Sequence, residues 1–124
     1  MRTQYYFRQS ERGLLAWDVD RLVKLSNGLP RKHVPLDSIR ELDEEWSAGD
    51  QRPTWRAIVG HMQLIEEADL SFPIILSATG EVMDGRHRVA KAALQGRKTI
   101  EAVQFASDPE PDYVGVPADE LPYD

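Results

Sequence analysis

Five consecutive residues, Asp84-Gly85-Arg86-His87-Arg88, place a carboxylate, an imidazole and two guanidiniums around one glycine. An apolar, strand-like stretch precedes them, and a helical pattern follows from Arg86 to Gln95. Gly85 lets the backbone bend and lets a ligand approach closely. The amides of Arg86, His87 and Arg88 then become first-turn donors without intrahelical partners, where the helix dipole favours an anion. Arg86 and Arg88 add forked, permanently charged donors that match phosphate oxygens. Asp84 can cap the helix, orient His87, or hold a metal ion that bridges to phosphate. The competing reading is a capped helix with two surface arginines. Three basic side chains at a helix N-terminus oppose its dipole, so a bound anion accounts for them better.

The elements that must position this turn are legible on both sides of it. Phe72-Pro73-Ile74-Ile75-Leu76 is a continuous apolar run, the pattern of a buried strand. Ala78-Thr79-Gly80 is a turn, and Glu81-Val82-Met83 returns to complete a hairpin. Gly96 ends the helix, with Arg97 and Lys98 where cations suit the dipole. Thr99 to Phe105 is a strand with Ile100 and Ala102 on one face and Val103 and Phe105 on the other. Upstream, Thr54 caps a long helix whose Trp55, Ile58, Val59, Met62, Ile65 and Ala68 recur at helical spacing and are expected to face the core. Asp18 is the N-cap of a helix to about Ser26, stopped by Asn27-Gly28. His33-Val34-Pro35-Leu36 reads as an edge strand, because Pro35 cannot donate to a ladder. Tyr5, Tyr6 and Phe7 read as a short strand or a docked arm. Residues 47–53 read as an exposed loop.

The chain has 124 residues, 41% of them hydrophobic, which suits one domain with one modest core. There are no cysteines, so disulfides, thiolate zinc ligands and a cysteine nucleophile are excluded. No apolar run is long enough to span a membrane, and the first residues lack a secretory signal pattern, so a cytoplasmic protein is expected. The net charge of −6 is unevenly spread. Residues 107–124 hold six acids and no base, and residues 41–83 hold nine acids against Arg52 and Arg56. Residues 84–106 carry Arg86, Arg88, Lys91, Arg97 and Lys98 against Asp84 and Glu101. A basic patch this small fits a small anion, and sequence-specific DNA binding is not expected.

The run Val82-Met83-Asp84-Gly85-Arg86-His87-Arg88-Val89-Ala90-Lys91-Ala92, with Gly96 and Ile100-Glu101-Ala102-Val103 after it, resembles the ParB/sulfiredoxin superfamily. The Phe72–Leu76 hairpin and Val34-Pro35-Leu36-Asp37-Ser38-Ile39 match its layout, so the resemblance covers roughly residues 33–105. It implies an α+β fold, a small mixed β-sheet flanked by helices, with a nucleotide-phosphate site at the motif. Sulfiredoxins carry their reactive cysteine at the position of Arg86, so their chemistry is excluded here. Partition proteins read Gly-Glu-Arg-Arg-x-Arg and help bind CTP there; Gly85 and Arg88 match, while Arg86, His87 and Ala90 depart. The ADP-dependent free-serine kinases carry Asp-Gly-His-His-Arg; Asp84, Gly85, His87 and Arg88 match, and Arg86 is the change. In those kinases an upstream stretch carries a catalytic carboxylate, which corresponds to Asp43 here, or second to Glu41.

The expected organisation is an N-terminal helical extension over 1–32, a ParB/sulfiredoxin-like core over 33–106 and an acidic, Pro-rich tail over 107–124, all in one compact unit. The expected function is nucleotide or phosphate binding, with Gly85, Arg86, His87 and Arg88 as phosphate contacts. In a small-molecule kinase or nucleotide hydrolase, Asp43, Asp84 and His87 would be the catalytic groups and a nucleotide (ADP, ATP or CTP) with Mg²⁺ the cofactor. The alternatives are a non-catalytic nucleotide-sensing module acting on a protein partner, and a DNA-associated ParB-like protein. The three histidines have no metal-ligand spacing, so no dedicated metal site is expected. His61 and His33 read as packed or surface residues. Glu41 to Glu45 reads as a solvated acidic stretch, or else as an acidic wall facing the basic turn. Asp108, Glu110 and Asp112 read as an ordinary acidic tail.

Overall fold

The computed structural model describes residues 2–44 and 54–123. Glu45 and the loop expected over 47–53 lie outside the described residues. The fold is α+β, with two sheets. Strands β1 (Tyr5–Ser10) and β2 (Gly13–Asp18) form a hairpin, and β7 (Tyr113–Val114) pairs with the outer side of β2. The second sheet has the order β3 (Lys32–Pro35), β6 (Thr99–Gln104), β4 (Ile74–Leu76), β5 (Val82–Asp84). Here β3 is antiparallel to β6, β4 is parallel to β6, and β4 and β5 form the expected hairpin. The helices are α1 (Val19–Ser26), α2 (Trp55–Glu67) and α3 (Arg86–Leu94). No helix among the described residues is long and apolar enough to cross a membrane.

Ile74-Ile75-Leu76 is apolar without alternation because both of its faces are covered. Ile74 and Leu76 join Leu36, Ile39, Val82, Val89, Ala92 and Ile100 in one cluster, the layer beneath α3. Ile75 faces the other way, with Met83, Val103 and Phe105, against Tyr6, Leu15, Trp17 and Leu22 of the N-terminal hairpin and α1. The four-stranded sheet is thus the middle layer, and β5 reaches its edge carrying the motif.

The N-terminal 32 residues are more than the helical extension expected of them. Two apolar runs, Tyr5-Tyr6-Phe7 and Leu14-Leu15-Ala16-Trp17, flank Glu11-Arg12-Gly13, and Gly13 takes a φ of 95° that glycine adopts without steric cost. The hairpin and α1 together supply half of one core, so they are part of the fold. The acidic tail is also anchored. The Arg8 guanidinium lies against the rings of both Tyr6 and Trp17, at 5.5 and 4.9 Å from their centroids, and its Nη1 donates to Asp108 Oδ2 at 2.9 Å. The other oxygen of Asp108 accepts from the Ala78 amide at 2.8 Å. Asp112 accepts from the Asp18 amide and pairs with Arg21 at 3.1 Å. Two of the tail acids therefore hold the last strand and its approach against the body.

The long helix departs from its expected packing. Ile58, Ile65 and Ala68 are half-buried, but Trp55, Val59 and Met62 are exposed, and no residue of α2 is fully buried. The apolar stripe is broader than the arc that meets α3, because α2 lies at the rim of the helix layer. Its cap is as expected, with Thr54 Oγ1 accepting from the Ala57 amide at 3.1 Å.

Candidate functional site

Gly85 ends β5 and opens α3 with a φ of 110°. A Cβ at this position would lie 2.7 Å from Ile74 Cγ2 and 3.3 Å from Arg88 Cζ. The position therefore needs glycine twice, for the backbone conformation and for the close approach of β4. The first helical hydrogen bond runs from the Val89 amide to the Gly85 carbonyl at 3.0 Å, and no side chain caps the helix. The amides of Arg86, His87 and Arg88 have no acceptor among the described residues. They open onto a cleft of about 740 Å³. Its walls are the motif, the strand edge of Thr3–Phe7, and Leu64 and Glu67 of α2.

The three basic side chains of the motif have separate fates. Arg88 is an internal clamp: its Nη1 donates to the Phe72 and Pro73 carbonyls at 3.1 and 2.5 Å, and its Nη2 to Asp84 Oδ2 at 3.0 Å. Asp84 therefore neither caps α3 nor stands free for a metal; it is the counter-ion of Arg88. His87 is half-buried and packs edge-on against His61 of α2, with ring centroids 4.9 Å apart. Its pKa is held below the ordinary imidazole value, first by burial and second by His61, with Asp84 acting in the opposite sense. At neutral pH the ring is an uncharged donor–acceptor, not a cation. Arg86 is exposed and makes no ion pair or hydrogen bond with any described residue. The conflict between basic residues and the helix dipole thus comes down to Arg86, which shares the first turn with the unpaired amides and lines the cleft.

Of the carboxylates expected to serve as acid or base, Asp84 lines the cleft, paired with Arg88, whereas Asp43 and Glu41 do not. Asp43 is exposed, at the end of the 3₁₀ turn Arg40–Asp43, and is not among the residues lining the cleft. Glu41 of the same turn is turned inward instead. Its Oε2 accepts from the Val82 amide at 2.6 Å, and its Oε1 is buried without a partner. Glu41 thereby covers the outer edge of β5, a strand edge that would otherwise expose an unpaired amide. Among the described residues no three His, Asp or Glu side chains are placed to hold a metal ion. With Asp84 engaged by Arg88, the described residues do not make a Mg²⁺ site of their own.

Two site features were missed in the sequence. The hairpin wall at Thr3–Phe7 could have been found from the two apolar runs around Gly13. The meeting of His61 with His87 had no signal in spacing, because it arises where α2 crosses α3. Lys91, counted only as part of the basic patch, fixes that crossing by donating to the Glu66 and Ala68 carbonyls at 2.7 and 2.8 Å.

No family model, curated protein or solved structure matches the chain.

Gly85→Ala is expected to destabilise the fold. The left-handed conformation costs a non-glycine residue about 1–3 kcal/mol, before the contact with Ile74 is relieved. Thermal unfolding followed by circular dichroism should show a fall of roughly 5–15 °C. A wild-type melting temperature in this variant would show that Ile74 yields without cost.

The lowered pKa of His87 has a defined sign. The unfolded chain takes up a proton near pH 6.5 while the folded protein resists it, so stability falls as the pH drops below about 6.5. His87→Gln removes that contribution. The melting-temperature advantage of the wild type over the variant should be largest above pH 7 and shrink on acidification toward pH 5. An advantage that stays constant over this range would mean that His87 titrates normally.

Proposed function

We infer that the protein binds the phosphate of a nucleotide or phosphorylated small molecule at the N-terminus of α3. The observation that carries this reading is Arg86. It is an exposed arginine without an ion pair among the described residues, in the same first turn as three unpaired amides, and it lines a cleft large enough for a nucleotide. In this reading the amides of Arg86, His87 and Arg88 and the Arg86 side chain contact the phosphate, and neutral His87 donates one hydrogen bond. Gly85 lets the phosphate approach the backbone. Arg88 acts from behind, by holding the turn rather than by touching the ligand.

The resemblance to the ParB/sulfiredoxin superfamily supports the same ligand class, since its motif falls on the same residues. A non-catalytic nucleotide-sensing module has more support than a kinase or hydrolase. Asp84 and His87 line the cleft, but Asp84 is paired with Arg88 and Asp43 is not among the lining residues, so no unpaired carboxylate of the expected set faces the cleft among the described residues. Any Mg²⁺ would come with the phosphates rather than be held by a protein carboxylate cluster. A DNA-associated role has less support, because the small basic patch at 84–98 in a chain of net charge −6 does not make the broad basic face that a duplex requires.

Calorimetry with ADP, ATP and CTP, each with and without Mg²⁺, tests the reading. Arg86→Ala should weaken binding roughly tenfold to a hundredfold, the contribution of one charge-assisted contact. Arg97→Ala, at the opposite end of α3, should bind like the wild type. Equal affinity in the Arg86 variant would remove the site. Phosphorus NMR of the same mixtures, with hydroxyl acceptors including serine, should show nucleotide left intact; conversion by the wild type would establish an enzyme instead.

A further inference from the structure

The exposed arc of α2 plays no part in the core or in the proposed phosphate site. Trp55, Val59 and Met62 are 84%, 62% and 60% exposed. At about 3.6 residues per turn they share one face with Glu66. Ile58 and Ile65 flank that face on the side of α3, and Leu64, which lines the cleft, points away from it. The charges of α2 are sorted by end. Arg56 flanks the stripe at its N-terminal end, and Glu66 and Glu67 lie at its C-terminal end. None of the three side chains makes an ion pair with another described residue.

We propose that α2 packs antiparallel against α2 of a second copy, about a dyad between Val59 and Met62. Such a contact is isologous, so the stripe must complement itself when reversed, and it does. Val59 meets the partner's Met62, and Trp55 lies over the methylenes of the partner's Glu66. Arg56 comes level with the partner's Ile65, about 1.5 Å along the axis from Glu66, so each uncompensated cation gains an acid. The helix dipoles also oppose. A parallel pairing would set Glu66 and Glu67 against their own copies. Because Leu64 points away from the stripe, pairing leaves the cleft open, and the proposal stands apart from the phosphate site. One helix pair covers less than the roughly 800 Å² per partner of a standard interface. The association is therefore weak, with a Kd on the order of 10⁻⁴ M.

Sedimentation equilibrium of the full chain, from about 10 µM to about 1 mM, brackets that Kd and tests the proposal. The mean mass should rise from 14.1 kDa toward twice that value. Met62→Glu should remain monomeric at every concentration with an unchanged melting temperature, because the side chain is exposed in the monomer. Arg56→Glu should also dissociate the pair, and adding Glu66→Arg to it should restore dimerisation. A mass of 14.1 kDa throughout would overturn the proposal, whether another segment of the chain or another protein covers the stripe. So would a dimer that persists in Met62→Glu, or a double charge reversal that fails to restore pairing.

Discussion

The guanidinium of Arg88 ties together two pieces of backbone that the rest of the site depends on. It reaches back across Gly85 to the carbonyls of Phe72 and Pro73, where the chain enters β4, and it pairs with Asp84 at the end of β5. Both ends of the central hairpin and the first turn of α3 are thus held by one planar group. Its fork geometry, with several donors in one plane, is what allows this; a lysine could not make the same set of contacts. The close approach of Gly85 to Ile74 follows from the clamp, and so does the direction in which the first amides of α3 point.

This arrangement also explains the charge pattern of the motif. A helix N-terminus beside a buried β-strand would ordinarily be capped by Ser, Thr, Asp or Asn. Here the nearest carboxylate is drawn off to Arg88, and glycine occupies the cap. The amides are left open, and burial, with His61 second, holds the pKa of His87 below the ordinary imidazole value. Arg86 is left as the permanent positive charge at the opening. Of the other acids, Glu67 lines the cleft, while Asp108 and Asp112 are engaged in holding the tail to the hairpin sheet.

The central unit was legible because its signals are local and agree with one another. The unbroken apolar run at Ile74-Ile75-Leu76, the turn at Gly80, the glycine on either side of α3 and the alternation of Ile100 and Ala102 with Val103 and Phe105 all fix period and register. The division of labour among Arg86, His87 and Arg88 was not legible, since three adjacent basic residues look alike until tertiary contacts distinguish them. Asp43 and Glu41 show the same limit: two residues apart on one turn, one faces solvent and the other seals a strand edge. The α2 stripe misled for a different reason. Helical spacing reports that a face is apolar, but not what covers it.

The proposed function requires that phosphate be held at the amides that start α3. The most direct test is a titration of nitrogen-15-labelled protein with ADP, followed by two-dimensional amide NMR. The account predicts that the largest shifts fall on the amides of Arg86, His87 and Arg88, with smaller ones along Thr3–Phe7. If those three amides stay in place while resonances elsewhere move, the phosphate site is not at this turn, and the account is contradicted.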